Sequence, residues 1–326
     1  MSWLDLPKPL IILAPMDGYT TPPFRRFIKK VAPHSIVFSE FLSAALVHKK
    51  PSLAEKMFAN WPDEAPVVIQ LYGKDVEDFR VAAMLAEEKG AAGVDINMGC
   101  PAKKVVAHRH GSALMKEIDL ACDIIAGMKK AISVPVTVKT RLGWENHDNL
   151  IPFAKRLEDH GLDAITIHGR TYHQKFEGEA YWEPIYDLKD SLSIPVFGNG
   201  DITTVEEAKA RLGNLDGVMV GRGAVSDPWV MEQCVDFFHK GPEHVKVRPF
   251  SEKAPYWKNF AAMAVATGSE LHACQAFRKY LVRLIKDLGL ETDYRKMAVR
   301  VETLEQINEV LDRFVDASEK SCILPA

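Results

Sequence analysis

Short apolar runs rich in β-branched residues alternate with longer amphipathic stretches through the first three quarters of the chain. Eight of the runs read as strands, at 10–15, 36–40, 67–71, 93–98, 135–140, 163–168, 194–199 and 216–221. They are apolar almost throughout instead of alternating, which is the pattern of parallel strands covered on both faces. Between them, residues 75–89, 118–132, 148–160, 203–213 and 226–239 carry apolar positions at helical spacing. Glycine closes several of these segments, as in Glu88-Lys89-Gly90 and Asp159-His160-Gly161.

Eight such units within about 240 residues predict an α/β chain folded as a (β/α)8 TIM barrel. The rival is an open, doubly wound sheet, which usually has fewer strands and a glycine-rich turn after the first. Here the first strand runs into Ala14-Pro15-Met16-Asp17-Gly18, which is not a GxGxxG turn. After about residue 240 the strand signal stops. Residues 241–249 read as a linker, and 250–318 read as wholly helical. Within 277–288, Phe277, Leu281, Leu284 and Leu288 form an apolar stripe, while Lys279, Arg283 and Lys286 share another face. The expected division is a catalytic barrel over 1–240 and a C-terminal all-helical domain over 241–326.

Composition narrows the class. With 326 residues, 47% hydrophobic and 26% charged, the chain can build a large core. No apolar run approaches the roughly 20 residues of a membrane span. The N-terminal stretch lacks the basic region and cleavage pattern of a signal peptide, so a cytoplasmic location is expected. Five scattered cysteines without a CxxC read as reduced thiols, neither a disulfide framework nor a metal site. The net charge of −3 is unevenly spread, with 14 basic and 12 acidic residues from 240 onward. Any affinity for nucleic acid must therefore come from a local patch.

In a barrel of this kind, chemistry sits at the C-terminal ends of the strands. Those ends read, in order, Pro15-Met16-Asp17, Glu40, Gln70, Asn97 with Cys100, Lys139 with Arg141, His168 with Arg170, Asn199-Gly200-Asp201 and Gly221-Arg222. Polar groups finish nearly every apolar strand, which is what a ligand pocket needs. The last two ends are small turns beside a fixed cation, suited to a phosphate or simply to tight βα turns. A lysine at position 139, deep in a strand end, calls for an anionic partner, either a bound anion or a barrel carboxylate. Cys100 lies in Asn97-Met98-Gly99-Cys100-Pro101, on a loop whose backbone is restrained by glycine and proline. A thiol there is mostly protonated at neutral pH and suits a general acid. Lys103, Lys104, His108, Arg109 and His110 make the following segment cationic, either a solvated loop or a clamp for a polyanion.

Taken together, Ala14-Pro15-Met16, Asn97-Met98-Gly99-Cys100-Pro101, Gly111-Ser112-Ala113-Leu114-Met115, Val138-Lys139-Thr140-Arg141-Leu142-Gly143-Trp144, Ile167-His168-Gly169-Arg170-Thr171, Gly198-Asn199-Gly200-Asp201 and Gly221-Arg222-Gly223 resemble the bacterial tRNA-dihydrouridine synthases of the NifR3-like subgroup. The resemblance runs in order from the first strand to about residue 230. It implies tightly held FMN, NADPH as reductant and tRNA as partner; a monomeric protein without metal is expected as well. It further implies that Pro15, Met16, Asp17, Gln70, Lys139, His168, Asn199, Gly200, Asp201, Gly221 and Arg222 bind FMN and that Cys100 is the catalytic acid. Substrate contacts are expected from Asn97, Lys103, Lys104, Arg109, Arg170, Lys279, Arg283 and Lys286. The chain departs from the family at Ala107-His108-Arg109-His110, where glycine-rich sequence is common. Rival readings are an FMN-dependent dehydrogenase of free dihydropyrimidines, such as dihydroorotate, and a non-catalytic RNA-binding flavoprotein.

Overall fold

The computed structural model describes residues 2–52, 58 and 62–323, with side chains described to residue 319. Its centre is a closed barrel of eight parallel strands in sequential order: β1 (Leu10–Leu13), β2 (Ile36–Ser43), β3 (Val67–Tyr72), β4 (Gly93–Asn97), β5 (Val136–Arg141), β6 (Ala164–His168), β7 (Val196–Asn199) and β8 (Gly217–Val220). Every strand falls on one of the apolar runs, and β1 closes the ring against β8 from Leu10↔Gly217 to Leu13↔Val220. All eight strands run the same way because each is followed by a crossover that returns the chain to the same end.

The outer ring comprises α1 (Pro22–Val31), α2 (Ala44–Lys49), α3 (Val76–Glu88), α4 (Lys103–Ala107), α5 (Ile118–Ala131), α6 (Leu150–Asp159), α7 (Glu183–Ser191), α8 (Val205–Leu212), α9 (Arg222–Ser226) and α10 (Trp229–Lys240). The sequence pattern gave a single helix over 226–239. The structure instead breaks the chain at Asp227-Pro228, since proline supplies no amide for a continuing helix.

The barrel interior is stratified. Its lower layer is apolar and includes Leu10, Ile12, Phe38, Val68, Phe197 and Met219. Trp3, on a short 3-10 turn capped by Ser2, plugs this end. Its ring stacks on Phe197 at 5.9 Å and meets Phe38 edge-on at 6.1 Å. Two residues further along the strands the lining turns polar, with Gln70, Asp95, Thr137 and Thr166 all buried. Successive inward positions on a strand are two apart, so one apolar layer beneath one polar layer confines chemistry to one end.

After Gly241 the chain forms α11 (Phe250–Ala266), α12 (Glu270–Asp287), α13 (Thr292–Ala298) and α14 (Leu304–Ile323). The expected stripe on α12 is real: Phe277, Leu281 and Leu284 are buried, and Leu288 is partly so. It packs with Trp257 and Phe260 of α11 against Phe24 and Phe27 of α1. The rings of Phe27 and Phe260 stack at 5.3 Å, and those of Phe24 and Tyr280 at 5.8 Å. The helical region thus shares one continuous aromatic core with the barrel and rises beside the β1 end of its mouth.

Candidate active site

The strand ends converge on a cavity of about 600 Å3 at the C-terminal mouth of the barrel. Of the residues expected to bind a cofactor, Pro15, Met16, Asp17, Gln70, Lys139, His168, Asn199, Gly200, Asp201, Gly221 and Arg222 all line it. Cys100 and Asn97 line it too, and Arg283 of α12 reaches its rim. Residues from every barrel strand end and one from the helical region therefore meet in one place.

Lys139 stands at the end of β5, where its ammonium donates to Asn199 Oδ1 at 3.0 Å. Burial, reinforced by the charge of Arg141, lowers its pKa to about 8. A half-buried ammonium bonded to a neutral amide oxygen retains strong attraction for an anion placed against it. Asn199 is held in turn by its Nδ2, which donates to the Met219 carbonyl at 2.7 Å. His168 is buried, and burial together with Lys139, Arg141, Arg170 and Arg222 holds its pKa well below the ordinary histidine value. It is therefore neutral at pH 7. Arg170 Nη1 lies 3.4 Å from His168 Nε2, and a guanidinium only donates, so the ring proton belongs on Nδ1.

Cys100 is held from three directions. Its backbone N–H donates to Asn97 Oδ1 at 2.9 Å, and its carbonyl accepts from the amide of Ser112 at 3.2 Å. Arg141 Nε donates to the neighbouring Gly99 carbonyl at 2.7 Å. Burial pushes the thiol pKa above its ordinary value, so it keeps its proton at neutral pH. The described cysteines Cys122, Cys234 and Cys274 are buried away from this cavity, and the Cys322 side chain lies outside the described residues.

Several expected contacts fall elsewhere. Arg170 is 2% exposed and does not line the cavity. Its donors serve Asp201 Oδ2 at 2.6 Å and the carbonyls of Gly178 and Glu177 at 2.5 and 3.2 Å. It ties the loop after β6 to the loop after β7, a structural use that leaves little for a substrate. Lys103 and Lys104 are exposed on α4, outside the cavity. Arg109 adopts a left-handed φ of 63° and pairs with Glu117 at 2.5 Å. Lys286 is exposed on α12. Lys279 is half-buried, bonded to the Gly18 carbonyl and 4.1 Å from the centre of the Tyr19 ring.

The cavity also has walls that the strand-end pattern did not single out. Phe41 enters it because β2 runs to Ser43 and shifts register between Phe38 and Phe41. Phe176, 57% exposed, comes from the loop after β6 and lies within 5.4 Å of the Arg141 and Arg222 guanidinium carbons. Nothing periodic marks either residue. Asp95 is fully buried beneath the cavity floor, and an acid inside the apolar run of β4 was the signal available for it. Among the described residues no group of three or more His, Cys, Asp and Glu side chains is arranged to hold a metal ion, and no helix is long and apolar enough to cross a membrane.

The sequence matches the dihydrouridine synthase (Dus) family over residues 12–320. A probable tRNA-dihydrouridine synthase 1 of Synechocystis sp. is 34% identical over 316 residues, spanning 96% of this chain and 88% of that one. The tRNA-dihydrouridine synthase B of Pasteurella multocida is 40% identical over 235 residues, 70% of each chain. Among solved structures, a 2-naphthoyl-CoA reductase superposes with a TM-score of 0.56 at 12% identity, over 95% of this chain and 67% of that one. Morphinone reductase superposes with a TM-score of 0.52 at 13% identity, over 72% and 87%. These structural likenesses concern the fold.

Proposed function

The chain belongs to the dihydrouridine synthase family, and from that premise we propose that its barrel mouth reduces uridines of tRNA to 5,6-dihydrouridine, with FMN as the bound flavin, NADPH as the reductant and Cys100 as the proton donor. The observation that carries this reading is that Cys100 faces the same cavity as Lys139, His168 and Asn199. A proton donor, a cation and polar side chains thus share one cavity.

The cavity walls fit FMN. Lys139 is a half-buried cation whose hydrogen bond is to a neutral oxygen, which would leave its charge for the electron-rich edge of a bound isoalloxazine. At Gly221, a Cβ would point at the Ala14 and Met16 side chains on the cavity wall, 3.6 and 3.8 Å away. A bare backbone beside Arg222 suits a phosphate at the ends of β7 and β8. Gln70, Asn199 and the backbone around Met16 would hold the ring edges.

FMN bound there would supply hydride chemistry, between NADPH and carbon 6 of the uracil. The remaining steps belong to side chains. Cys100 delivers a proton to carbon 5, where negative charge develops, and its raised pKa keeps that proton available at pH 7. Asn97 fixes the backbone of Cys100, and Arg141 fixes the preceding carbonyl. Neutral His168 places a polar edge in the pocket without adding a charge. A stacked uridine cannot reach so deep a floor, so the target base must leave its stack. Exposed Lys103, Lys104 and Lys286, with Arg283 at the rim, would hold tRNA phosphates, giving the helical region of 241–326 its role. A cytoplasmic enzyme fits this reading.

The test separates two half-reactions. Cys100→Ala should retain FMN, released as FMN on denaturation, and should be reduced by NADPH at near the normal rate. Its reoxidation by tRNA should slow by about 10²–10⁴-fold, the usual worth of a positioned general acid. Stopped-flow flavin absorbance reads each step alone, and wild-type rates in both would remove Cys100 from the mechanism.

A further inference from the structure

We infer that Asp95 is a positioning residue, fixing the amide orientations of Gln70 and Asn97 and through them the backbone of Cys100. Gln70 of β3 sits beside Asp95 of β4, and Asp95 sits beside Thr137 of β5. The three side chains therefore point inward at one level of the barrel. Asp95 is 0% exposed, as is Gln70, and Asn97 is 7% exposed.

The hydrogen bonds run in one direction. Gln70 Nε2 donates to Asp95 Oδ2 at 2.7 Å, and Thr137 Oγ1 donates to Asp95 Oδ1 at 2.6 Å. Asn97 Nδ2 donates to Gln70 Oε1 at 2.8 Å. Asn97 Oδ1 then accepts the backbone N–H of Cys100 at 2.9 Å and that of Gly99 at 3.2 Å. An ionised carboxylate can only accept. It obliges Gln70 to present its NH2 downward and its carbonyl to Asn97. Asn97 must then present its NH2 to Gln70 and its carbonyl to the Cys100 loop. Either amide flipped the other way would set donor against donor and acceptor against acceptor at a buried site, leaving polar groups unsatisfied. Burial raises the Asp95 pKa to about 6, so the acid is ionised at neutral pH. Two side chains that face the cavity, and the loop that carries the thiol, thus take their orientation from a carboxylate below the floor. Asp95 touches none of the reacting atoms itself.

The inference rests on the proposed role of Cys100, but loop anchoring can be read independently of that role. The probe is iodoacetamide on the full-length, FMN-saturated protein. Alkylation of the Cys100 peptide is followed by mass spectrometry, with the peptides of buried Cys122, Cys234 and Cys274 as internal references. Asp95→Leu, which removes the acceptor, should raise the Cys100 alkylation rate by about 10-fold. Gln70→Met, which cuts the relay one residue on, should do the same. The double variant should exceed neither, because residues in one network are non-additive.

Asp95→Asn is the conservative rescue, since its oxygen can face Gln70 while its NH2 donates to Thr137 Oγ1. It should stay within about 3-fold of wild type in alkylation and in reoxidation by tRNA, by the same network logic. Thr137→Val, which spares the Gln70 bond, should behave likewise. Wild-type alkylation in folded Asp95→Leu would overturn the inference, as would additive effects in the double variant. So would an Asp95→Asn as exposed at Cys100 as Asp95→Leu, because charge and not acceptor direction would then be required. If Asp95→Leu does not fold, Gln70→Met against Thr137→Val carries the test, and equal alkylation in the two overturns it. Failure of the proton-donor role would appear separately, in the kinetics of Cys100→Ala.

Discussion

Lys279, on α12 of the helical region, donates its ammonium to the backbone carbonyl of Gly18 in the loop after β1. The same loop is gripped from the barrel side, where Gly18 N–H donates to Glu40 Oε1 at 2.6 Å. Burial and the neighbouring Asp17 raise the Glu40 pKa, while burial lowers that of Lys279. Met16 and Asp17, on the cavity wall, therefore sit in a loop clamped between β2 and the helical region.

This clamp separates three cations that share one helix. Lys286→Ala and Arg283→Ala should weaken tRNA binding and flatten its salt dependence, each lost phosphate contact lowering the slope by about 0.7–0.9. NADPH-driven flavin reduction should stay near normal in Lys286→Ala. Lys279→Ala should instead loosen the loop and raise the FMN dissociation constant, which fluorescence titration would measure. Equal FMN retention in Lys279→Ala and Lys286→Ala would mean that the Gly18 contact does not steady the cavity wall.

Arg141 ties two loops together, and its planar fork is the reason it can. It donates to Gly99 on one side and, through Nη1, to the carbonyls of Thr171 and Lys175 at 3.1 and 2.7 Å on the other. A lysine offers one point charge in place of that geometry. Arg141→Lys should slow reoxidation by tRNA by about 10-fold or more, in line with a misplaced catalytic group. Limited trypsin digestion should also cut faster after exposed Lys175, and an unchanged cleavage rate would show that the second loop does not depend on this clamp.

A stability test follows from Asp95. Its pKa rises from 3.8 to about 6 on folding, so the folded protein disfavours the charged form. That cost is fully present well above pH 6, shrinks as pH falls from 6 towards 3.8, and is gone only below that, where both states are protonated. Asp95→Asn should thus gain on wild type at pH 7.5 relative to pH 4 by about 2–3 kcal/mol. Urea unfolding at the two pH values measures the change, and a gap that does not move with pH would mean the carboxylate is not disfavoured by burial.

Gly217 meets β1 backbone to backbone. A Cβ there would collide with the Leu10 carbonyl oxygen and stand 2.7 Å from its amide nitrogen. Backbone cannot rotate away as a side chain can, so Gly217→Ala should cost about 1–3 kcal/mol or more through strain where the barrel closes. Thermal unfolding would show it as a lowered Tm, and an unchanged Tm would mean the β1–β8 seam is looser than it stands.

The sequence by itself determined the architecture and the ingredients of the cavity. Eight apolar runs and the helical segments between them are local patterns, and parallel strands with right-handed crossovers leave few ways to arrange them. Strand ends such as Lys139, His168 and Asn199 were legible because a barrel brings all its strand ends to one face. Cys100 was legible because glycine and proline restrain its loop. What the tertiary structure decided is how each group is used. Arg170 and Lys279 are cations in the sequence, but the first is bonded to Asp201 and loop carbonyls, and the second to Gly18. Phe41 joins the cavity through a register shift that no periodicity announces. Asp95 is not singled out by the pattern of the β4 run, and its role depends on residues 25 and 42 positions away in the chain. Hydrogen-bond partners and strand register are properties of pairs brought together by folding, so one-dimensional periodicity cannot carry them.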